Sequence, residues 1–201
     1  TKSDQKMAVV SSTLMNGPME LYTDDKGFHG IKSSGQNSAK EVFDAIGRIP
    51  GGNARGRVDL ATTYMIAQRA ANKGLSKLDL GALGITEAEL KAAMADVNTN
   101  PKLRDALEIV RSTYNAYNAG LIKFLASTGA ITKADAAKLL KDGDYVPFYR
   151  IRENGMADLV FSDEVTINIG DIRYQPYLAE LKGGETRILP LTESIPRNTL
   201  L

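Results

Sequence analysis

The sequence contains no cysteine and a single histidine, His29. The absence of cysteine excludes disulfide bonds, thiolate metal ligands and a cysteine nucleophile. One histidine per chain excludes a histidine-rich metal site within one chain. No apolar run approaches the roughly 20 residues needed to cross a bilayer, so we expect no membrane span. We also expect no bound metal and no cofactor.

The charge is nearly balanced, with 25 basic and 24 acidic residues among 201. This balance excludes a general electrostatic attraction to nucleic acid or to an anionic membrane, but it is compatible with a local basic patch. At 43% hydrophobic residues, the chain can bury a core. Its start, Thr1 to Asp4, has neither Met nor a signal-peptide pattern. We therefore expect a segment of a longer protein.

Helical spacing of apolar residues predicts several helices in the first half of the chain. The first runs from about Asp4 to Glu20, with Asn16-Gly17-Pro18 expected to end or kink it. Its apolar residues are Met7, Val10, Leu14 and Met15. The polar, glycine-containing stretch Thr23–Ser38 reads as a loop, followed by helices over Ala39–Ile46 and Arg57–Lys73. A capping box at Thr86-x-x-Glu89 predicts a further helix.

The strongest helix prediction begins at Asn100-Pro101, where an N-cap residue precedes a proline at the first helical position. Steps of four and three residues separate its apolar side chains, as in bundle packing. They are Leu103, Leu107, Val110, Tyr114, Tyr117, Leu121 and Phe124. Gly129 ends this helix, and Thr132 caps a short one over Lys133–Leu140. The two helices should form a hairpin.

A β-hairpin is predicted after Gly143, from Tyr145 to Phe161, around the turn signal Asn154-Gly155. Weaker patterns suggest strands over Val165–Ile169 and Arg187–Leu191, and the start of a helix at Ile195-Pro196. The fold class is therefore mainly α, a helical bundle with a β-hairpin appended toward the C-terminus. We divide it into a bundle over residues 1–143 and a hairpin with an extended segment over 144–201, packed on the bundle.

Gly51 to Arg57 has the glycine spacing of a phosphate-binding loop, but Arg57 and Val58 stand where that motif needs Lys and Ser or Thr. A flexible linker before a helix is the favoured interpretation. A weaker hypothesis is that Arg48, Arg55 and Arg57, near a helix N-terminus, bind an anion or a phosphate backbone.

We find no catalytic constellation. His29 follows two aspartates, Asp24 and Asp25, but no nucleophile elbow exists, so an ordinary loop histidine is favoured. Carboxylates are scattered between Asp135 and Glu164, and Asp142 and Asp144 are more simply turn residues. A hydrolase using a carboxylate pair across a cleft stays a further hypothesis.

Two places combine residue types that favour interaction surfaces. Tyr114, Asn115, Tyr117 and Asn118 crowd one turn of the long helix, where core packing is the favoured interpretation and a polar contact surface the alternative. The heptapeptide from Asp144 to Arg150 is rich in residues typical of binding hot spots. Its candidate interaction residues are Tyr145, Pro147, Phe148, Tyr149 and Arg150. The favoured interpretation is a hairpin edge packed on the bundle, with Arg150 paired to a carboxylate, and an interaction surface is the alternative.

This heptapeptide, preceded by the long helix with Tyr114 and Asn118 and the pair Gly120-Leu121, resembles a helical domain of the large polyvalent and internal virion proteins of tailed bacteriophages. Other similar segments occur along the chain. They are the Asp4-Gln5-Lys6 helix leading to Gly17-Pro18-Met19, the Tyr64–Ala71 helix, Leu181-Lys182-Gly183-Gly184 and Ile188-Leu189-Pro190-Leu191.

The resemblance implies a domain within a very long protein that travels inside the capsid and enters the bacterial host with the DNA. It supplies no catalytic residues, so we expect no enzyme activity in this segment. The implied function is structural, through contacts with other virion proteins or copies of the same chain. Nucleic-acid binding through Arg48, Arg55 and Arg57 is the alternative, and it predicts DNA binding that weakens with salt.

Overall fold

The computed structural model describes residues 2–73, 86–141, 148–151, 157–160 and 191–200. Over these ranges the chain is mainly helical, as predicted. The elements are α1 (Lys2–Asn16), β1 (Met19–Thr23), β2 (His29–Ser33), α2 (Ala39–Gly47), α3 (Ala54–Lys73), α4 (Glu87–Thr99), α5 (Pro101–Ser127), α6 (Lys133–Lys141), β3 (Phe148–Ile151), β4 (Ala157–Val160) and α7 (Leu191–Leu200). Two antiparallel pairs, β1 with β2 and β3 with β4, form separate hairpins.

Helix α5 contacts α2, α3, α4, α6 and β1, and its sequence signals are all realised. The Asn100 side-chain oxygen accepts a hydrogen bond from the Leu103 amide at 3.2 Å, and Pro101 follows it in the first turn. The predicted apolar stripe is buried from Leu107 to Leu121 and half-buried at its two ends. The heptad prediction is therefore confirmed.

Side chains from α2, α3, α4, α5 and α7 meet in one apolar core. Its largest fully buried members include Tyr114, Tyr117, Ile49, Met65, Ile66, Leu107, Leu191 and Ile195. A smaller cluster of Ile122, Ile131, Ala136 and Leu139 holds α6 against the end of α5. Each such aliphatic side chain contributes about 1.5–3 kcal/mol when it leaves water. The predicted helical hairpin of α5 and α6 is confirmed.

Capping boxes fix the first residues of α2 and α4. Ser38 accepts from the Glu41 amide while the Glu41 carboxylate accepts from the Ser38 amide. Thr86 and Glu89 form the same reciprocal pair at the start of α4. Because Glu89 accepts from the Thr86 backbone and side chain, the pKa of its carboxyl is lowered. The capping box predicted from the sequence of α4 is thus confirmed.

Helix α1 ends at Asn16, which confirms the prediction that Asn16-Gly17-Pro18 ends or kinks it, and the helical pattern read as far as Glu20 does not continue as a helix. Gly17 stops it with a φ of +92°, a conformation that side chains with a Cβ rarely adopt, and a Cβ there would lie 2.0 Å from the Gln36 carbonyl oxygen. Of the predicted stripe, Val10 is buried and Leu14 half-buried, but Met15 is 56% exposed. The side chain of Met7 is outside the part of the chain that the structure describes.

The stretch Thr23–Ser38, predicted to be a loop, instead contains the second strand of a hairpin. β1 and β2 pair from Met19↔Ser33 to Thr23↔His29, and the five residues 24–28 connect them. The Asp24 carboxylate accepts from the amides of Lys26 and Phe28, and Gly27 completes the reversal with a φ of +79°. The strand ladder and this turn hold the two strands to each other, since most residues in both strands are exposed.

At the other end of the chain, β3 and β4 confirm the predicted second hairpin, with Phe148 opposite Val160. The turn signal Asn154-Gly155 and the segment Val165–Ile169 lie outside the described residues. The division at residues 143 and 144 stays a prediction.

Helix α7 corrects two expectations about residues 187–198. Leu191, expected to end a strand, begins the helix, and Pro196, expected at a helix entry, lies inside it. Residues 187–190 lie outside the described part. Leu191 and Ile195, one turn apart, are buried in the core, and this burial outweighs the hydrogen bond that Pro196 cannot donate. The Leu191 amide also donates to Thr62 of α3 at 3.3 Å.

Candidate functional site

The three arginines of the predicted anion patch lie around the loop between α2 and α3, and they are not equivalent. The Arg57 guanidinium donates to three glycine carbonyls, those of Gly47, Gly51 and Gly52, at 2.8, 3.0 and 3.3 Å. Arg48 is exposed at the end of α2, and Arg55 is exposed with the Asp59 carboxylate 3.9 Å away. Arg57 thus closes the loop, and the exposed cations of the patch are Arg48 and Arg55.

Two of the predicted interaction residues are inside the protein. Tyr114 is 1% exposed and Asn118 is 3% exposed, both on the face of α5 that meets the core. They help to fix the bundle, which is the interpretation favoured from the sequence. Phe148, Tyr149 and Arg150 belong to β3, where the structure describes the backbone pairing, whereas Tyr145 and Pro147 lie outside the described residues.

His29 lies at the exposed end of the first hairpin. Its Nδ1 is 2.8 Å from the Thr23 hydroxyl, directly across the strand pair. The neighbouring Asp24 carboxylate accepts from the amides of Lys26 and Phe28, whereas the imidazole bonds to Thr23. Among the residues described, no group of three or more His, Asp or Glu side chains could hold a metal ion.

The hairpin β1–β2 presents large apolar side chains to solvent. Leu21 and Ile31 are directly opposed across the strands and are 51% and 54% exposed. Phe28, beside the turn, is 61% exposed, but its ring contacts the Tyr22 ring at a centroid distance of 6.5 Å and so does not extend this apolar pair. On the other face, Tyr22 packs over Gly30, and the Lys32 ammonium lies 5.8 Å from the centre of the Tyr22 ring. The side chains on the Tyr22 face therefore contact one another, while the apolar side chains of Leu21 and Ile31 on the opposite face are exposed to solvent.

A groove of about 350 Å³ separates this hairpin from the second half of α5. One wall is formed by residues 18–21 together with Ser34 and Asn37, and the other by one face of α5. The lining residues are Pro18, Met19, Glu20, Leu21, Ser34, Asn37, Gly120, Lys123, Phe124 and Ser127. Pro18 packs against Gly120, where a Cβ would lie 2.5 Å from the Pro18 ring, and this contact sets how closely the two walls approach.

The charges at the groove are unequal. The Glu20 carboxylate forms an ion pair with the Lys32 ammonium at 3.3 Å. Lys123 is exposed and has neither an ion pair nor a hydrogen bond within the ranges that the structure describes. The groove therefore favours an anionic group near Lys123, with an apolar surface formed by Leu21 and Phe124.

No protein-family model, no curated protein and no solved structure matches this chain. The resemblance to phage polyvalent and internal virion proteins stays a prediction.

The buried polar groups elsewhere connect helices to one another. The Tyr64 hydroxyl donates to the Glu108 carboxylate, which also accepts from Arg111 at 2.9 Å, so α3 is joined to α5. Burial and this carboxylate raise the pKa of Tyr64 well above its ordinary value. Burial likewise raises the pKa of Tyr117 to about 12, and its hydroxyl bonds to Thr199 of α7. Both tyrosines are thus kept neutral and structural.

Sequence reasoning missed the groove because it missed one of its walls. Met19-Glu20-Leu21-Tyr22-Thr23 alternates apolar and polar residues, and Asp24 with Gly27 supplies turn residues. These signals were present, but Gly30 and the many polar residues around it favoured a loop.

None of the described helices is long and apolar enough to cross a membrane.

Proposed function

We propose that this chain is a structural and assembly segment of a large phage internal virion protein. It acts through protein–protein contacts, lies in the virion interior and is delivered to the bacterial host with the DNA. The observation that supports protein contacts is the uncovered apolar pair Leu21 and Ile31 on the first hairpin. Contiguous exposed apolar surface of this kind is typical of interaction sites.

The placement of the polar groups also supports a binding function over a catalytic one. Tyr64, Glu108 and Tyr117 join helices, and Asp24 organises a turn. The residues at the groove offer one free cation and an apolar surface, which suits recognition of a polypeptide. The phage context comes from the resemblance centred on Tyr145 to Arg150.

Sedimentation of the purified chain, alone and with candidate virion proteins, tests this proposal. We expect association that weakens when the apolar face is made polar by Ile31→Ser. A loss of about tenfold in affinity corresponds to one well-placed anchor residue. Ile109→Ser is the matched control, because Ile109 is 56% exposed on α5 and does not belong to the hairpin.

Equal behaviour of the two variants, or a chain that stays monomeric and binds no virion protein at high concentration, would contradict the proposal. A short DNA duplex added at low and moderate salt gives the competing outcome. Binding only at low salt, weakened by Arg48→Ala and Arg55→Ala, would favour the nucleic-acid hypothesis instead. Arg57 is unsuitable for that test because its substitution also removes the contacts that close the loop.

A further inference from the structure

We propose that the groove between β1 and α5 binds an extended polypeptide segment with an acidic side chain, adding it as a strand to the free edge of β1. This inference rests on the proposed function, since it specifies how a protein partner is held. Strand addition at an exposed sheet edge is a recurrent mode of peptide recognition, in which main-chain hydrogen bonds give affinity and side-chain pockets give specificity.

The groove borders the edge of β1 and not merely one face of the hairpin. Its lining includes the consecutive residues Met19, Glu20 and Leu21, whose side chains alternate between the two faces. No residue of β2 itself (29–33) lines the groove, and Ser34 and Asn37, which follow β2, are the only lining residues from that side of the hairpin. A segment lying in the groove would therefore meet the outer edge of β1.

The pairing of β1 with β2 leaves some backbone amides and carbonyls of β1 pointing outward, away from β2. The Ser34 amide donates to the Pro18 carbonyl and the Asp24 amide donates to the Phe28 carbonyl. Paired positions alternate along an antiparallel ladder, so the even-numbered residues of β1 face β2. The amides and carbonyls of Leu21 and Thr23 then point outward, and they have no partner among the described residues. An added strand would pair with these groups.

The side chains around the edge define the chemistry of the segment. Leu21 and Phe124 offer apolar surface for one side chain, and the uncompensated Lys123 favours an acidic one nearby. The contact of Pro18 with Gly120 narrows the groove at one end. With a strand rise of about 3.3 Å per residue, an edge the length of β1 pairs with a segment of roughly five residues.

Chemical-shift mapping with a defined probe tests the inference. The probe is the peptide acetyl-Val-Glu-Val-Glu-Val-amide, added to the isotope-labelled full chain. We expect shifts at the Leu21 and Thr23 amides and at Lys123. An analogue N-methylated at its valines should lose most of the binding, because it cannot donate the main-chain hydrogen bonds. An analogue with Lys in place of Glu should bind more weakly.

Two pairs of variants separate the backbone and charge contributions. Leu21→Pro removes the outward amide without removing a bond to β2, whereas its control Leu21→Ala keeps that amide. We expect weaker binding by Leu21→Pro than by Leu21→Ala. Lys123→Gln should weaken binding about two- to fivefold, as expected for one partly exposed ion pair. Lys133→Gln, an exposed lysine outside the groove, should leave it unchanged.

Shifts that map elsewhere, or equal binding of the N-methylated peptide, overturn the inference. Shifts of Leu21 and Thr23 that depend on chain concentration without peptide would assign the edge to a second copy instead. If the chain binds virion proteins, the groove variants do not weaken that binding and the peptide does not bind, the inference is refuted while the proposed function stands. Peptide binding by a chain that associates with no virion protein refutes the proposed function and leaves the inference standing.

Discussion

Gly120 permits close packing of the first hairpin against α5, and its replacement by alanine should destabilise the chain. A Cβ at this position would lie 2.5 Å from Cγ and 2.9 Å from Cβ of Pro18. Carbon atoms in contact prefer about 3.5–4.0 Å, so the buried proline ring or the helix must move by about 1 Å. Forcing an extra methyl group into a packed site costs about 1–3 kcal/mol.

The same substitution has an opposite effect on the helix itself, because alanine favours a helix over glycine by up to about 1 kcal/mol. Gly56→Ala in α3 is the matched control. A Cβ at Gly56 meets nothing closer than the Asn53 side-chain oxygen at 3.4 Å, and the site is exposed. The difference in unfolding free energy between the two variants therefore isolates the crowding at Pro18, which we expect to be about 1–3 kcal/mol.

Urea unfolding followed by circular dichroism at a helix wavelength measures both variants. We expect Gly56→Ala to match or exceed the parent chain, and Gly120→Ala to unfold at lower urea. In a thermal melt the difference should appear as a few degrees per kcal/mol for a chain of this length. Equal stabilities of the two variants would show that the hairpin does not pack on α5 at Gly120.

Two further predictions concern the buried tyrosines. Tyr64→Phe should lower the unfolding free energy by ~1 kcal/mol, since Glu108 is partly exposed and water replaces the lost donor. Tyr22→Phe is the control and should leave the unfolding free energy unchanged. Equal effects of the two variants in urea unfolding would count against the hydrogen bond that joins α3 to α5. Because burial raises the pKa of Tyr117 to about 12 against an ordinary 10, stability should hold below about pH 10 and fall as the pH rises through 12. Tyr117→Phe should flatten this alkaline loss in urea titrations at several pH values, and an unchanged slope would refute the assignment.

The elements predicted well from the sequence are those whose signals are local. The long helix carries its own cap at Asn100-Pro101 and an unbroken heptad stripe, and both appear in the structure. Thr86 and Glu89 likewise specify the start of α4 without help from distant residues. Local capping and periodicity agree with the fold at these positions, so sequence reasoning succeeds there.

The predictions fail where distant residues decide the conformation. Pro196 indicates a helix boundary locally, but Leu191 and Ile195 are held in a core built by residues far earlier in the chain. In the first hairpin, the strands are short and exposed, so the alternation that marks them is weak beside the loop-like composition.

The prediction of the site was limited in the same way. Tyr114 and Asn118 could be core or surface residues on spacing alone, and only packing assigns them to the core. The groove needs two elements about a hundred residues apart in the chain, Met19–Leu21 and Gly120–Ser127, to lie side by side. No motif spans that separation, so single-sequence reasoning had no signal for it.

The docking of α7 has a consequence for how the protein is made. Its first amide binds Thr62, 129 residues earlier, and Thr199 bonds to Tyr117, 82 residues earlier. A chain emerging from the ribosome can form α2 to α6 as it is made, but the cleft for Leu191 and Ile195 stays open until those residues emerge. During that interval apolar surface is accessible to chaperones and to other nascent chains, and long-range closure of this kind slows folding. The interval before α7 is synthesised is thus a stage at which this chain is sensitive to aggregation.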